Sequence, residues 1–256
     1  MLNLSREVAQ PAGALTVERD LLKRLDRIHR RRRPGHLQLD ARIASYNLAA
    51  RMQLEATEAL DLSQESRQTL EAYGVGNKTT DNYARRCVMA RRLVERGVRF
   101  VQICTQRQIW DNHSGIVAGL KKCCGRTDQP IAALLKDLRQ RGLLEDTLVV
   151  WGGEFGRMPI AQLPDKKNLS TAGRDHNPRG FTVWLAGGGV KAGSVYGATD
   201  ELGYEAVENR VSVTDFHATL LHLLGMHHEE LFFEHNGLDE KLTSVFEARV
   251  VDELLA

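Results

Sequence analysis

The spacing of apolar residues changes near residue 97 of the chain. Before this point apolar positions recur at helical intervals among many charges, as in LTVERDLLKRLDRIHRRRR and LDARIASYNLAARMQLEATEAL, a pattern that predicts amphipathic helices. Two shorter segments, SQESRQTLEAYG with Ser63 as N-cap and Gly74 as stop, and TTDNYARRCVMARRLVERG, have the same character. Residues 1–97 are therefore predicted to form a helical segment.

After residue 97 the pattern alternates between strand and helix. Three short, mainly apolar runs, which are typical of buried strands, are VRFVQIC (98–104), TLVVW (147–151) and FTVWLAGGG (181–189). A helix between the first two runs is indicated by Asp128 near its cap, Pro130 in its first turn and Gly142 after its end. This order predicts one α/β domain over residues 98–256, in which the three runs share a mostly parallel sheet covered by helices.

Candidate metal ligands lie next to each of the three runs: Asp111, His113, Glu154, Asp175 and His176. Carboxylate oxygen and imidazole nitrogen suit zinc or manganese, and ligands gather at the carboxyl ends of parallel strands. Residues 152–180 show no clear helix or strand, which is typical of a functional or disordered loop. Each residue alone also has an ordinary explanation, such as helix capping by Asp111 or a loop hydrogen bond for His176. Their joint arrangement favours a metal site.

Composition narrows the possible partners. The 35 basic and 33 acidic residues give a formal charge of +2, which is no signature of nucleic-acid or membrane binding, and no run of eighteen apolar residues predicts a bilayer-spanning helix. The basic run at residues 30–33 lacks interleaved aromatic residues and indicates a solvated helix end. The four cysteines match no zinc spacing and are expected to be packed free thiols. The N-terminal residues do not have the pattern of an export signal.

Four motifs, in this order, resemble a bacterial sulfatase-like family of unknown function, the domain of unknown function 1501 family: WDNH, DTLVVWGGEFGR, GRDHNPRGFTVWLAGGGVKAG and GATDELGYEAVENRVSVTDFHATLLHLLG. That family belongs to the alkaline phosphatase superfamily, and the likeness covers nearly the whole chain. The resemblance implies a three-layer α/β/α sandwich with a largely parallel sheet. Because LNLSREV resembles sequence from the middle of family members, the sandwich is expected to be incomplete at its N-terminus and the chain to be a C-terminal part.

The resemblance also implies residue roles. Asp111 and His113 match a first metal-binding pair, and Glu154 matches the aspartate of a second pair whose histidine is replaced by a phenylalanine. His176 matches a later histidine ligand, and Asp175 is expected to compensate for the missing imidazole. The tetrahedral anion of a substrate is expected to meet Arg157 or Arg174, although a surface role suits either arginine equally well. The expected metal is zinc or manganese, with calcium also compatible.

The implied function is metal-assisted hydrolysis of a small phosphate or sulfate ester, with no nucleic-acid or membrane partner. No catalytic nucleophile is identified at a strand end, so weak hydrolysis is expected from this chain alone. The alternative is a non-catalytic module that binds a metal or a partner. Family members usually carry an export signal. The histidine-containing segment VTDFHATLLHLLG is predicted to be a structural helix capped by Thr214, because His217 and His222 do not share a helical face.

Overall fold

The computed structural model describes residues 13–105, 107–165, 168–243 and 245–256. Its α-helices are α1 (Ala14–Arg31), α2 (Leu37–Leu60), α3 (Arg67–Tyr73), α4 (Asp81–Glu95), α5 (Ile116–Gln140) and α6 (Val213–Leu223), with short 3-10 helices at Leu62–Gln64, Leu169–Thr171 and Asp252–Leu254. Its strands are β1 (Val149–Trp151), β2 (Gly156–Arg157), β3 (His176–Asn177), β4 (Trp184–Ala186), β5 (Ala198–Thr199), β6 (Ala206–Glu208), β7 (Phe232–His235) and β8 (Leu238–Lys241).

The strands form two-stranded antiparallel sheets, β1 with β4, β2 with β3, β5 with β6 and β7 with β8. The prediction of a three-layer α/β/α sandwich with a largely parallel sheet is therefore wrong. A parallel pair needs a crossover that returns the chain to the starting end, usually an α-helix. In the connection from β1 to β4, the described residues form only the 3-10 helix Leu169–Thr171 and the β2–β3 pair. The chain thus reverses, and β4 runs back along β1 with Val149 opposite Ala186.

The first predicted strand, 98–104, is an irregular segment with a bend at Arg99, and it pairs with no described strand. Its apolar residues divide between the protein and solvent: Ile103 packs against the helical core, whereas Phe100 is 79 % exposed. Val149 of β1 packs against the same core. The first two apolar runs are thus covered in part by helices, which explains their composition without a common sheet.

The core lies among α3, α4 and α5 and is built from Leu62, Tyr73, Ala84, Cys87, Val88, Leu134 and Leu138. Beside it, the buried guanidinium of Arg91 contacts the carboxylates of Glu65 at 2.6 Å and Asp137 at 3.1 Å. Tyr73 donates a 2.9 Å hydrogen bond to Asp137, and burial raises the pKa of its hydroxyl far above the usual range. None of the described helices combines the length with the hydropathy that a membrane-spanning helix requires.

Helix ends differ from the predictions at three places. Helix α5 begins at Ile116, after Gly115 in the left-handed region, so Pro130 lies in the helix interior rather than in its first turn. Helix α6 is capped by Ser212, whose side chain accepts from the Asp215 amide, rather than by Thr214. Helix α3 is capped by Ser66 instead of Ser63. In the last two cases a neighbouring hydroxyl provides the same capping hydrogen bond.

Candidate metal centre

Three tryptophans hold the loop between α4 and α5 against β1. Trp151 and Trp184 lie opposite each other in the β1–β4 pair, and their rings are stacked with centroids 6.3 Å apart. Trp110 meets the Trp151 ring edge-on at 6.2 Å. Since Trp110 directly precedes Asp111, this aromatic contact fixes where the first candidate ligand enters the site.

The β2–β3 pair positions the second set of side chains. Arg157 lies directly opposite His176 in this antiparallel pair, so the two side chains project from the same face. A side chain at Gly156 would collide with the backbone of Gly180. The glycine therefore permits the close chain approach that brings Arg157 and His176 together.

A second close approach joins the two halves of the site. The Arg174 amide donates to the Asn112 carbonyl at 3.0 Å, and the Gly115 amide donates to the Thr171 carbonyl at 3.0 Å. Between these bonds, a side chain at Gly173 would overlap the backbone of His113. Gly173 therefore allows the loop after the 3-10 helix Leu169–Thr171 to lie directly against the loop that carries His113.

These contacts bring Asp111, His113 and His176 together as a candidate metal-binding group. Asp111 Oδ1 lies 2.9 Å from His113 Nε2 and 3.1 Å from His176 Nε2, and the two Nε2 atoms are 3.1 Å apart. The three ligand atoms thus form a nearly equilateral triangle. His176 lies 63 positions after His113 and 65 positions after Asp111. Tertiary structure therefore brings His176 to the other two residues.

Arg157 lies beside this triangle and sets the charge of its carboxylate. Arg157 Nη1 donates to Asp111 Oδ1 at 2.6 Å. This hydrogen bond, together with one from His176, lowers the pKa of the Asp111 carboxyl below its usual range. Asp111 is therefore ionised at neutral pH, as a metal ligand must be.

The tautomer of His113 follows from its contact with Gln162, a residue that the sequence analysis does not identify as part of the site. Gln162 Oε1 lies 2.8 Å from His113 Nδ1, so the amide oxygen can accept from Nδ1 and leave Nε2 with its lone pair towards Asp111 and His176. Metal-ligating histidines commonly have such a partner on the other ring nitrogen. Gln162 lies within residues 152–180, and its backbone pairing with Gly173 holds it beside the loop that carries His113.

The other predicted site residues lie at the margin of the group. Glu154 has a 69 % exposed side chain, and its carboxylate is 4.0 Å from the Arg157 guanidinium. Asp175 Oδ1 is 3.9 Å from His113 Nδ1 and accepts from the amide of His176 at 2.8 Å. The side chain of Arg174 donates to the Met158 carbonyl at 3.4 Å. The neighbouring Phe155, where the resemblance leads one to expect a histidine, packs against the His176 ring at 4.2 Å.

The three ligand atoms are spaced as the ligands of one small metal ion are. Zinc bonds of about 2.0–2.1 Å to tetrahedral ligands separate neighbouring ligand atoms by about 3.3 Å, close to the observed 2.9–3.1 Å. Without a proton or cation between them, the lone pair of His113 Nε2 would face the carboxylate oxygen of Asp111 and repel it. Zinc and manganese accept imidazole nitrogen and carboxylate oxygen, whereas calcium prefers six to eight oxygen ligands.

Comparison with known proteins gives one family. The family model for a protein of unknown function, DUF1501, matches residues 1–255. The chain belongs to this family. No curated protein and no solved structure matches the chain. Membership of DUF1501 agrees with the family named from the sequence motifs, and the family description assigns no activity.

Proposed function

We propose that this DUF1501 protein binds one divalent transition-metal ion, zinc or manganese, through Asp111, His113 and His176. The observation that carries the proposal is the triangle of three ligand atoms, 2.9–3.1 Å on each side. Arg157 and Gln162 hold the carboxylate and one imidazole in place through their own hydrogen bonds. Such outer contacts are typical of metal sites because they fix the orientation of the ligands.

We further propose that the site hydrolyses phosphate or sulfate esters, as the likeness to sulfatase-like proteins of the alkaline phosphatase superfamily implies. Three protein ligands leave a coordination position open, as catalytic sites require. The His113 and His176 side chains are 38 % and 42 % exposed, so a small ester can reach them. A bound ion would act there as a Lewis acid on an ester oxygen.

The protein's own groups then serve to bind and orient the ester. The guanidinium of Arg157 is planar, permanently charged and suited to two oxygens of a tetrahedral anion. It lies at the edge of the triangle, 24 % exposed, where an incoming anion can share it with Asp111. Since the sequence offers no evident nucleophile beside these residues, we expect slow turnover from this chain.

Metal titration tests the binding proposal. Zinc and manganese binding should be measured calorimetrically for the wild type and for His113→Ala and His176→Ala. Loss of an outer contact to a metal ligand weakens metal binding by about 10–100-fold, so we expect about that loss for Gln162→Ala and a larger one for either ligand variant. His235→Ala is the matched control, because this 59 % exposed histidine lies in β7 and pairs with Glu240. Equal affinity in all four variants would refute the site.

Hydrolysis is tested separately with aryl phosphate and aryl sulfate in the presence of zinc or manganese. A slow rate that needs added metal and disappears in the His113→Ala, His176→Ala double variant is expected. Metal binding with no difference in rate between wild type and double variant would reject hydrolysis and favour the non-catalytic alternative. Glu154→Ala should retain metal affinity, because its carboxylate lies outside the triangle.

A further inference from the structure

Helix α1 carries an apolar face that is open to solvent. Val17, Leu21, Leu25 and Ile28 are 70 %, 56 %, 52 % and 49 % exposed. At about 100° per residue they fall within an arc of about 80° and form one continuous stripe along the helix. Large apolar surfaces exposed in this way usually mark an interaction site.

The stripe faces away from α2, the helix against which α1 packs. The crevice between the two helices is lined from α1 by Lys23, Asp26, Arg27 and Arg30. Arg30 also forms an ion pair of 2.5 Å with Asp40 of α2. Helix α1 therefore uses its polar side for the internal contact and presents its apolar side outwards, the reverse of the usual arrangement in a globular protein.

The same segment is strongly basic. Residues 14–33 contain eight lysine and arginine residues and three acidic residues, a formal charge of +5, compared with +2 for the whole chain. Arg24 and Arg31 flank the apolar stripe by helical geometry, and Arg32 and Arg33 follow the helix end. The small net charge of the chain, from which no membrane partner was expected, thus hides a concentrated positive segment.

We propose that α1 binds the surface of an anionic lipid bilayer, with its apolar stripe inserted at the boundary between headgroups and acyl chains. A helix of 18 residues, about 27 Å long, can lie in the plane of that boundary. Its combination of a bulky apolar face and a basic remainder is typical of interfacial helices. The charge of α1 favours a lipid surface over a second copy of the chain. Anionic headgroups attract clustered arginines, whereas two copies that meet through α1 would place two segments of charge +5 side by side, and these repel each other.

Vesicle co-sedimentation of the full chain tests the proposal. Vesicles of phosphatidylcholine with about 30 % phosphatidylglycerol should bind the wild type at least about tenfold more tightly than pure phosphatidylcholine, because each basic residue near an anionic surface contributes to binding. Raising the salt concentration to 0.5 M should remove most of this difference. No binding to the anionic vesicles, or equal binding to both, would overturn the proposal.

The double variant Leu21→Gln, Leu25→Gln tests the apolar stripe. Glutamine and leucine have similar helix propensities, so circular dichroism should show an unchanged helix content while anionic-vesicle affinity falls at least about tenfold. The matched control is Leu169→Gln, Leu202→Gln, which alters two leucines that are 76 % and 71 % exposed outside α1; it should bind like the wild type. If the α1 variant also binds like the wild type, the proposal is wrong. The proposal is also wrong if the wild type dimerises, the α1 double variant does not, and neither protein binds vesicles.

Discussion

Replacing Arg91 with alanine should destabilise the helical core strongly. The Arg91 side chain is 2 % exposed, and its guanidinium contacts Glu65 and Glu95 at 2.6 Å and Asp137 at 3.1 Å. Glu65 directly follows the 3-10 helix Leu62–Gln64, Glu95 is the last residue of α4, and Asp137 lies in α5. One cation therefore joins three parts of the core, and its removal leaves the surrounding carboxylates without their common partner.

The expected loss follows from burial and from the partners that remain. Removing one side of a buried ion pair costs about 3–5 kcal/mol, because the other charge stays buried. Glu65 keeps Arg92 as a partner, and Asp137 keeps Arg141 at 2.7 Å. These remaining contacts place the expected decrease in the free energy of unfolding near the lower limit, about 3 kcal/mol.

Urea unfolding followed by circular dichroism measures this loss, and Arg67→Ala is the matched control. Arg67 and Glu71 form the same i,i+4 pair at 2.6 Å as Arg91 and Glu95, but the Arg67 side chain is 92 % exposed. An exposed pair of this kind contributes little to stability, because water screens the two charges. Equal losses for Arg91→Ala and Arg67→Ala would show that burial does not set the strength of the network and would refute the reasoning.

The same network predicts a pH dependence. Burial opposes ionisation of Glu65, but hydrogen bonds from Arg91 and Arg92 outweigh it and lower the pKa of the carboxyl. A lowered folded-state pKa gives a stabilising contribution that is present above the unfolded-state pKa and is lost as pH falls through the folded value. Wild-type stability should therefore fall on acidification below about pH 4.5, the ordinary pKa of a glutamate, and less steeply in Arg91→Ala.

Two further predictions concern glycines and thiols. Gly173→Ala should weaken zinc binding at least about tenfold, because a side chain there would displace the backbone of His113. In the control Gly125→Ala on α5, the added methyl group would make only an ordinary contact with Thr79 at 3.9 Å, so zinc affinity should stay unchanged and stability should rise by up to about 1 kcal/mol. A disulfide-exchange reagent should modify exposed Cys104 quickly and leave Cys87 unmodified in the folded protein, since burial raises the pKa of Cys87 to about 12. Rapid modification of both thiols would contradict the buried position of Cys87.

The sequence predicts the helices better than the sheet because the two depend on different interactions. Helical spacing and local stops such as Gly74 act within a few residues, and α3 indeed ends at Gly74 in the left-handed region. Strand direction depends on what the connecting segment does. The apolar composition of 147–151 and 181–189 is the same for a parallel or an antiparallel partner, so it could not reveal that β4 reverses along β1.

Three of the five candidate ligands meet although the predicted sheet is absent. The sequence argument relied on parallel strand ends to bring them together, whereas the structure uses the short β2–β3 pair and the close approach of Gly173 to His113. The presence of aspartate and histidine near glycine-rich loops indicated metal binding. The choice of Asp111 over Glu154, and the contact from Gln162, depend on side-chain distances that no spacing pattern encodes.

The role of Arg157 can be separated into two effects with opposite signs. Its guanidinium lies 2.6 Å from Asp111 Oδ1, so it competes with a divalent cation for that oxygen and repels it. Unit charges 4 Å apart interact by about 1 kcal/mol in water and about 4 kcal/mol near a protein surface. Because water reaches the partly exposed Arg157 side chain and screens this repulsion, we expect Arg157→Gln to bind zinc at least about fivefold more tightly.

Sulfate binding by the zinc-loaded protein should change in the other direction. A tetrahedral anion loses its bidentate cationic partner in Arg157→Gln, so sulfate affinity should fall at least about tenfold, since a hydrogen bond to a charged group contributes about 1.5–3 kcal/mol. Arg174→Gln is the control, because the Arg174 side chain donates to the Met158 carbonyl at 3.4 Å, and it should change neither affinity. Weaker zinc binding in Arg157→Gln would mean that the guanidinium chiefly orients Asp111. Unchanged sulfate binding would remove Arg157 from substrate recognition and leave the anion to the metal alone.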